Sequence, residues 1–160
     1  MNKYYFEGKT QEQAINLALY ELNISEDDLI VNNVEDKSSL LKKNVKIEVL
    51  NIKEIISFIK DTLNKITELM GAKSNLEVKR REKSISVTIF SENNAILIGK
   101  NGKNVAALQL LIRQMINSKL KEPLSIIIDI APTPAVVDMA AIVSSIIRLL
   151  SLVVFYHILS

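Results

Sequence analysis

The chain has 160 residues, 48% of them hydrophobic, which is enough for one medium domain or two small domains with a real core. It contains no cysteine, which excludes disulfides and thiolate metal sites and agrees with the reducing cytoplasm in which we expect the protein to act. Its opening stretch, MNKYYFEGKT, lacks the apolar segment of a signal peptide, so we expect no secretory leader.

The charge is distributed unevenly, although the formal net charge is only +2. Residues 1–50 carry six Lys/Arg and nine Asp/Glu, whereas residues 51–130 carry thirteen Lys/Arg and eight Asp/Glu. The middle segment is therefore where an acidic partner such as a nucleic acid would bind. An ordinary solvated surface explains the same excess, so charge alone does not decide the function.

Residues 1–51 predict a small β-α-β-β domain. The aromatic, alternating run NKYYFEG is typical of a strand. Thr10, with Gln13 three residues later, predicts a capped helix start, and apolar residues then recur at helical spacing. Ser25 with Asp28 gives a second, shorter cap signal. The runs LIVNNVED and NVKIEVLN predict two strands joined by the polar KSSLLKK.

Residues 52–130 predict the order α-β-β-α-turn-α-β. The stretch IKEIISFIKDTLNKITELMG has one apolar stripe and ends at Gly71, a residue suited to stop a helix. NLEVKRR and KSISVTIF predict a hairpin, and Asn93 or Asn94 begins a short helix that runs to Ile98. KNVAALQLLIRQMINSKL is strongly amphipathic, Pro123 marks a break, and LSIIIDI is typical of a buried strand.

The stretch GKNG at 99–102 joins two predicted helices directly. Free N–H groups and the positive dipole end of a helix N-terminus attract phosphate, and glycine allows close approach and a positive φ. Lys100 and Lys103 add charge, and Asn101 offers a hydrogen-bond donor. The pattern therefore predicts a hinge that holds a sugar-phosphate backbone, with a plain helix–helix corner as the alternative.

Other phosphate loops do not fit the hinge. A Walker A loop requires glycine where the chain has Leu97 and Ser or Thr where it has Asn104, and the dinucleotide fingerprint G-x-G-x-x-G is absent. The sequence thus favours a nucleic-acid backbone over a bound nucleotide.

The order α-β-β-α-(G-x-x-G)-α-β resembles a type II KH domain, and LIGKNGKNVAALQLLIRQMINSKL is similar to the KH domain of the bacterial Jag (SpoIIIJ-associated protein, KhpB) family. YYFEGKTQEQAINLALYELNISEDDLIV resembles the Jag N-terminal domain, whose signature is an F-E-G-K-T turn followed by a helix. The resemblance covers residues 2–130. It implies an α+β fold with a β-α-β-β N-terminal domain at 1–51 and a type II KH domain at 52–130. The apolar residues that follow predict a helical tail at 131–160.

The resemblance implies a single-stranded RNA-binding protein that clamps about four nucleotides over the hinge, with no catalysis, cofactor or metal. It further implies post-transcriptional regulation linked to cell-envelope growth or division, and pairing with a small KH-only protein. The alternative is a protein-interaction or membrane-associated adaptor that uses the KH fold as scaffold. The implied RNA-binding residues are Ile98, Gly99, Lys100, Asn101, Gly102, Lys103 and Asn104. Ile96 and Leu97, with Ile98, fall either in the groove wall or in the core.

Two stretches depart from the family pattern. KSSLLKKN replaces a glycine- and phenylalanine-rich loop, and Arg148 and His157 are nine residues apart, so the Arg-x-x-x-His motif of the family's C-terminal domain is absent. We favour a tail helix that is buried or self-associates through residues 135–159. A membrane anchor, in which Arg148 costs about 3 kcal/mol, and a lost reading frame remain alternatives.

Few other groups suggest chemistry. The only histidine, His157, lies in the apolar tail with no supporting catalytic motif. One acidic set matches no metal-binding spacing and predicts a solvated face: Asp27, Asp28, Glu35 and Asp36. A basic set is expected at a solvated hairpin end, with RNA contact as the alternative: Lys79, Arg80 and Arg81.

Overall fold

The computed structural model describes residues 1–36 and 44–132 of the chain. Its first part is an antiparallel sheet, of strand order β1-β3-β2, with one helix packed on it. The elements are β1 (Tyr4–Gly8), α1 (Gln11–Leu22), β2 (Leu29–Asp36) and β3 (Val45–Asn51), with a short 3-10 turn at Glu26–Asp28 before β2. The predicted β-α-β-β order is confirmed. Its small core is formed by Phe6, Ala14, Ala18, Ile47 and Val49.

The start of α1 follows the predicted capping pattern with one difference. The Thr10 hydroxyl accepts a hydrogen bond from the Gln13 backbone N–H at 3.2 Å, as expected of an N-cap. The Gln13 side chain, however, accepts from the N–H of Lys9, at 3.2 Å, rather than from that of Thr10. The reciprocal pair therefore closes one residue earlier than the sequence pattern predicts.

The second part has the order α-β-β-α-α-β, as predicted. Its elements are α2 (Ile52–Leu69), β4 (Ser74–Arg81), β5 (Ser84–Ser91), α3 (Asn94–Ile98), α4 (Lys103–Asn117) and β6 (Ser125–Ile130). Strand β5 is central, antiparallel to β4 and parallel to β6, so β6 lies at an edge. The apolar stripes of α2 and α4 share a core with the buried residues of β5 and β6, including Ile59, Leu63, Ile89, Ile112 and Ile126.

The two parts meet along a seam, which we define by Asp28, Asn32, Lys53 and Arg80. Asp28 is only 8% exposed and accepts hydrogen bonds from Lys53 at 2.8 Å and Arg80 at 2.9 Å, while the Ser25 hydroxyl donates to it at 2.8 Å. The Lys53 ammonium, followed by the Ser25 hydroxyl, lowers the pKa of Asp28. The prediction of a solvated acidic face is wrong for Asp28, because an unpaired carboxylate is too costly to bury but a paired one is not.

Asn32 joins the two parts at a second point of the seam. It sits at a bulge of β2, and its side-chain oxygen accepts a hydrogen bond from the Lys121 N–H at 2.7 Å. Its amide nitrogen donates to the Lys119 carbonyl at 3.3 Å and to the Glu48 carboxylate. The bulge therefore holds the turn that joins the end of α4 to β6.

The predicted apolar helix after residue 130, self-association through 135–159, and both Arg148 and His157 lie outside the described residues, as does most of KSSLLKKN. Within 1–36 and 44–132, no helix is both long and apolar enough to cross a membrane.

Candidate nucleic-acid interface

The hinge between α3 and α4 is a tight corner of left-handed backbone. Gly99, Asn101 and Gly102 have φ values of 68°, 56° and 74°. The Gly99 N–H donates to the Ala95 carbonyl at 2.9 Å, and the Gly102 N–H donates to the Gly99 carbonyl at 3.3 Å. Glycine accepts such values without strain, and Asn tolerates them better than most residues. The corner therefore brings the exposed N-terminus of α4 to the surface immediately after α3.

Asn104 braces this corner from within. Its side-chain amide donates to the Ile96 carbonyl at 2.7 Å. A Cβ added at Gly99 would lie 2.5 Å from Asn104 Cγ, whereas a Cβ added at Gly102 would meet nothing within 4 Å. Gly99 is thus required for close packing as well as for its φ value. Gly102 is required for φ alone and leaves open space beside the helix N-terminus.

The cations of the hinge are available to a ligand. Lys100 and Lys103 are exposed, and no ion pair is recorded for either in the part of the chain that the structure describes. The same holds for Arg113, farther along α4. Within those ranges no group of three or more His, Cys, Asp or Glu is arranged to hold a metal ion. The exposed Lys100 and Lys103 give this corner the electrostatic character of an anion site.

The apolar residues of α3 divide between core and surface. Leu97 is fully buried, so it belongs to the core and not to a groove wall. Ile96 and Ile98 are 43% and 41% exposed and lie beside the hinge. Two apolar side chains therefore flank the cationic corner, where they offer surface to a ring as well as to an aliphatic partner.

Strand β6 forms the other side of the site. The Asn94 amide donates to the Ala131 carbonyl at 2.7 Å and ties the start of α3 to the end of β6. Gln109 accepts a hydrogen bond from the Ile128 N–H at 3.0 Å, and Arg113 donates to the Ile126 carbonyl at 3.3 Å. Sequence reasoning missed both α4 residues. Their spacing of four places them on one helix face, but the sequence does not say that this face meets β6.

The basic hairpin residues do not act as a group. Arg80 belongs to the seam, where it binds the Asp28 carboxylate and the Asp27 carbonyl. Lys79 pairs with Glu77 of its own strand at 3.2 Å. Lys79 and Arg81 keep the exposed position that the sequence predicts for all three, whereas Arg80 is half-buried.

A mixed three-stranded sheet with helices packed on one face, and a G-x-x-G corner between its two sequential helices, defines a type II KH domain. The family model for the KhpA/KhpB KH domain matches residues 57–128, and the model for the Jag N-terminus matches residues 6–50. The chain therefore belongs to the Jag/KhpB family.

Two relatives illustrate the similarity. The RNA-binding protein KhpB of Bacillus subtilis (strain 168) is 26% identical over 115 residues, which is 69% of this chain and 55% of that protein. The RNA-binding protein KhpB of Clostridium symbiosum is 27% identical over 134 residues, 76% of this chain and 58% of that protein. The match thus spans somewhat more than half the length of each relative.

Proposed function

We propose that this chain binds single-stranded RNA and holds its backbone against the hinge. The observation that carries the proposal is the corner itself, where backbone with positive φ leaves the N-terminus of α4 exposed. Two lysines lie beside this N-terminus, and neither forms an ion pair within the described ranges. A helix N-terminus supplies N–H donors and a positive dipole end, which suit a phosphate. The names of the two relatives support RNA as the ligand.

Each hinge residue has a distinct part in this proposal. Gly102 leaves room for the sugar-phosphate chain, and Lys100 and Lys103 attract its charge. Asn101 donates from the tip of the corner, whereas Asn104 holds the corner in shape through its bond to the Ile96 carbonyl. Gly99 allows the corner to close, and Ile98 lies against the sugar or base of a bound nucleotide.

The wider proposal for the protein follows the family, except for the tail. We propose two domains, at 1–51 and 52–130, followed by a tail at 131–160, in a cytoplasmic protein without catalytic activity of its own. Its role is post-transcriptional regulation linked to cell-envelope growth or division, in association with a small KH-only protein. Self-association through residues 135–159 belongs to the same proposal.

The test is fluorescence anisotropy of the full chain with a short labelled single-stranded RNA at two salt concentrations. We expect Lys100→Asp with Asn101→Asp to weaken binding at least about tenfold, because the variant places negative charge against the phosphates. The matched control is Asn64→Asp with Lys65→Asp, an exposed pair on α2 with the same change of charge. Equal losses in both variants, or binding by neither parent nor variants, would contradict the proposal.

One observation favours a second function, that of a protein-binding adaptor. Leu69 is 80% exposed, and Leu110 and Leu111 are also exposed on α4. Near them lies a groove of about 240 Å³, lined by Met70, Asn104, Ala107, Leu108 and Leu111. An adaptor would bind RNA no better than other weakly basic proteins do, so the anisotropy experiment separates the two functions.

A further inference from the structure

Helix α1 of the first part carries a surface groove. The groove has a volume of about 460 Å³ and is lined by residues of the helix and of the short 3-10 turn that follows it: Gln11, Glu12, Ile15, Asn16, Leu19 and Glu26. Asn23, with a φ of 50°, turns the chain back at the end of the helix, and the Ile24 N–H donates to the Leu19 carbonyl at 3.3 Å. This is the pattern of a Schellman motif, so the backbone itself holds the two sides of the groove together.

The groove contains apolar surface that the core does not use. Helix α1 meets the sheet through the buried Ala14 and Ala18, and the half-buried Ile15 packs against the same core. Leu19 is also half-buried, but it packs against neither of the two cores in the ranges that the structure describes. A partner seated in the groove would therefore remove the Leu19 side chain from water without disturbing the core.

The rim of the groove is acidic. Glu12 lies in the first turn of α1, and Glu26 lies in the turn beyond its end. Both are exposed, and no ion pair is recorded for either within 1–36 and 44–132. Residues 9–27 contain four carboxylates and a single lysine, so this surface repels the phosphates of RNA and attracts cations. The groove therefore suits a ligand that combines apolar side chains with positive charge.

We propose that this groove docks a basic, amphipathic helix of a partner protein. Glu12 and Leu19 are seven residues apart, so the groove extends about 10 Å along α1, the length of two turns of a docked helix. Leucines on one face of such a helix reach Ile15 and Leu19, and lysines at its ends pair with the carboxylates of Glu12 and Glu26. Burial of Leu19 supplies affinity, and the carboxylates select a cationic partner. The inference uses no residue of the hinge and does not depend on RNA binding there.

The test is fluorescence anisotropy of the full chain with a labelled synthetic peptide that has leucine on one helix face and lysine on the other. The peptide has about 18 residues, because shorter helices are marginal in water. A second peptide has the same composition in shuffled order, and we expect the ordered peptide to bind at least about tenfold more tightly. Leu19→Ser should weaken binding of the ordered peptide about tenfold. The matched control is Leu17→Ser, an exposed leucine of the same helix that does not line the groove, which should leave the affinity unchanged.

The carboxylates are tested separately. Glu12→Gln with Glu26→Gln should weaken the ordered peptide about threefold or more at low salt and less at high salt. The matched control is Glu68→Gln with Glu92→Gln, two exposed carboxylates of the second part with the same change of charge, which should have no such effect. All four positions of these two variants are exposed, so this comparison keeps the inference testable if Leu19→Ser does not fold.

Several outcomes would overturn the inference. Equal affinity for the two peptides, no binding of the ordered peptide, or equal losses in a variant and its control would show that the groove does not dock a basic helix. A lower sedimentation coefficient of the chain alone in Leu19→Ser would instead assign the groove to a second copy of this chain. RNA affinity should be unchanged in every groove variant, whereas failure of the hinge variant to weaken RNA binding would contradict the proposed function and leave this inference standing.

Discussion

The hinge and the seam both contain cations and backbone polar groups, but the cations are paired with a carboxylate only at the seam. At the seam, Lys53 and Arg80 both bind the Asp28 carboxylate, which is itself buried. At the hinge, Lys100 and Lys103 are exposed, with no ion pair recorded within the described ranges. Paired groups join the two parts of the molecule, and unpaired groups leave charge available to a ligand.

The difference has a physical reason. A charge that is removed from water must find a partner, so the seam could close only around a complementary set of side chains. A charge that stays in water needs no partner within the protein. The left-handed corner therefore positions the hinge lysines without neutralising their charge. Substitutions at the seam should therefore change stability, and cation substitutions at the hinge should change binding.

The largest effect is expected at Gly99, where the hinge itself depends on close packing. Gly99→Ala should lower the free energy of unfolding by about 3 kcal/mol, because it adds left-handed strain and displaces the Asn104 side chain. Gly102→Ala has a similar positive φ but open space around its Cβ, so it should cost only about 1 kcal/mol. Urea denaturation measures both, and equal costs would mean that the Asn104 contact contributes nothing.

The next effect concerns the acidic centre of the seam. Asp28→Ala should lower the free energy of unfolding by about 2 kcal/mol, because it leaves two cations without the carboxylate that they share. Asp27→Ala is the control, since Asp27 is exposed and contacts Arg80 only through its backbone carbonyl. RNA affinity at the hinge should be unchanged in both variants, and a large loss of affinity would break the separation between hinge and seam.

Asn32 should have a somewhat smaller effect on stability. Asn32→Ala removes the bonds to the Lys121 N–H and the Lys119 carbonyl, and we expect it to cost about 1.5 kcal/mol. The neighbouring Asn33, for which the described part of the chain records no side-chain hydrogen bond, serves as the control through Asn33→Ala. Thermal denaturation of the two variants measures both losses of stability. A loss for Asn33→Ala as large as that for Asn32→Ala would show that the Asn32 side chain does not stabilise the seam.

The seam also predicts a dependence on pH. The Lys53 ammonium, then the Ser25 hydroxyl, holds the pKa of Asp28 below its usual value, so the folded chain takes up a proton there less readily than the unfolded chain. The resulting stability is fully present above about pH 5 and is lost as the pH falls through the ordinary carboxyl pKa of about 3.9 and then the lower folded pKa. Asp28→Asn should therefore flatten the fall of melting temperature with acidification. Parallel curves for parent and variant would show that Asp28 is not held ionised.

The smallest effect is expected for a single hinge lysine. Lys103→Ala should weaken RNA binding by a few-fold and reduce the slope of log affinity against log salt by about 0.7, the value for one contact to single-stranded nucleic acid. Lys65→Ala on α2 should leave the slope unchanged. An unchanged slope for Lys103→Ala would remove this residue from the phosphate contacts.

The sequence predicts the local features of the fold well. Helix α2 follows from its apolar stripe, and its end follows from Gly71, which has a φ of 77°. The hinge is visible in the spacing of its glycines, because only glycine combines close approach with a positive φ. These features depend on neighbouring residues, which a single sequence displays directly.

The remaining features depend on residues that are distant in sequence. Asp28 and Arg80 are 52 residues apart, and Asn32 and Lys121 are 89 residues apart. No local sequence pattern therefore predicts either of these two contacts of the seam. The bracing role of Asn104 and the contact of Gln109 with β6 likewise require the packing of α4 to be known. Sequence reasoning therefore located the hinge but not the side chains that hold it in place or extend it along α4.

The most direct test of the central claim is a two-dimensional amide NMR titration of the full chain with a short single-stranded RNA. We predict that the first and largest shifts occur in the amides of residues 99–104, with further shifts along α4 and the outer edge of β6. The amides of Asp28 and Arg80 at the seam should remain in place. Shifts centred on the seam, or an unchanged hinge at saturating RNA, would contradict the assignment of the hinge as the RNA clamp.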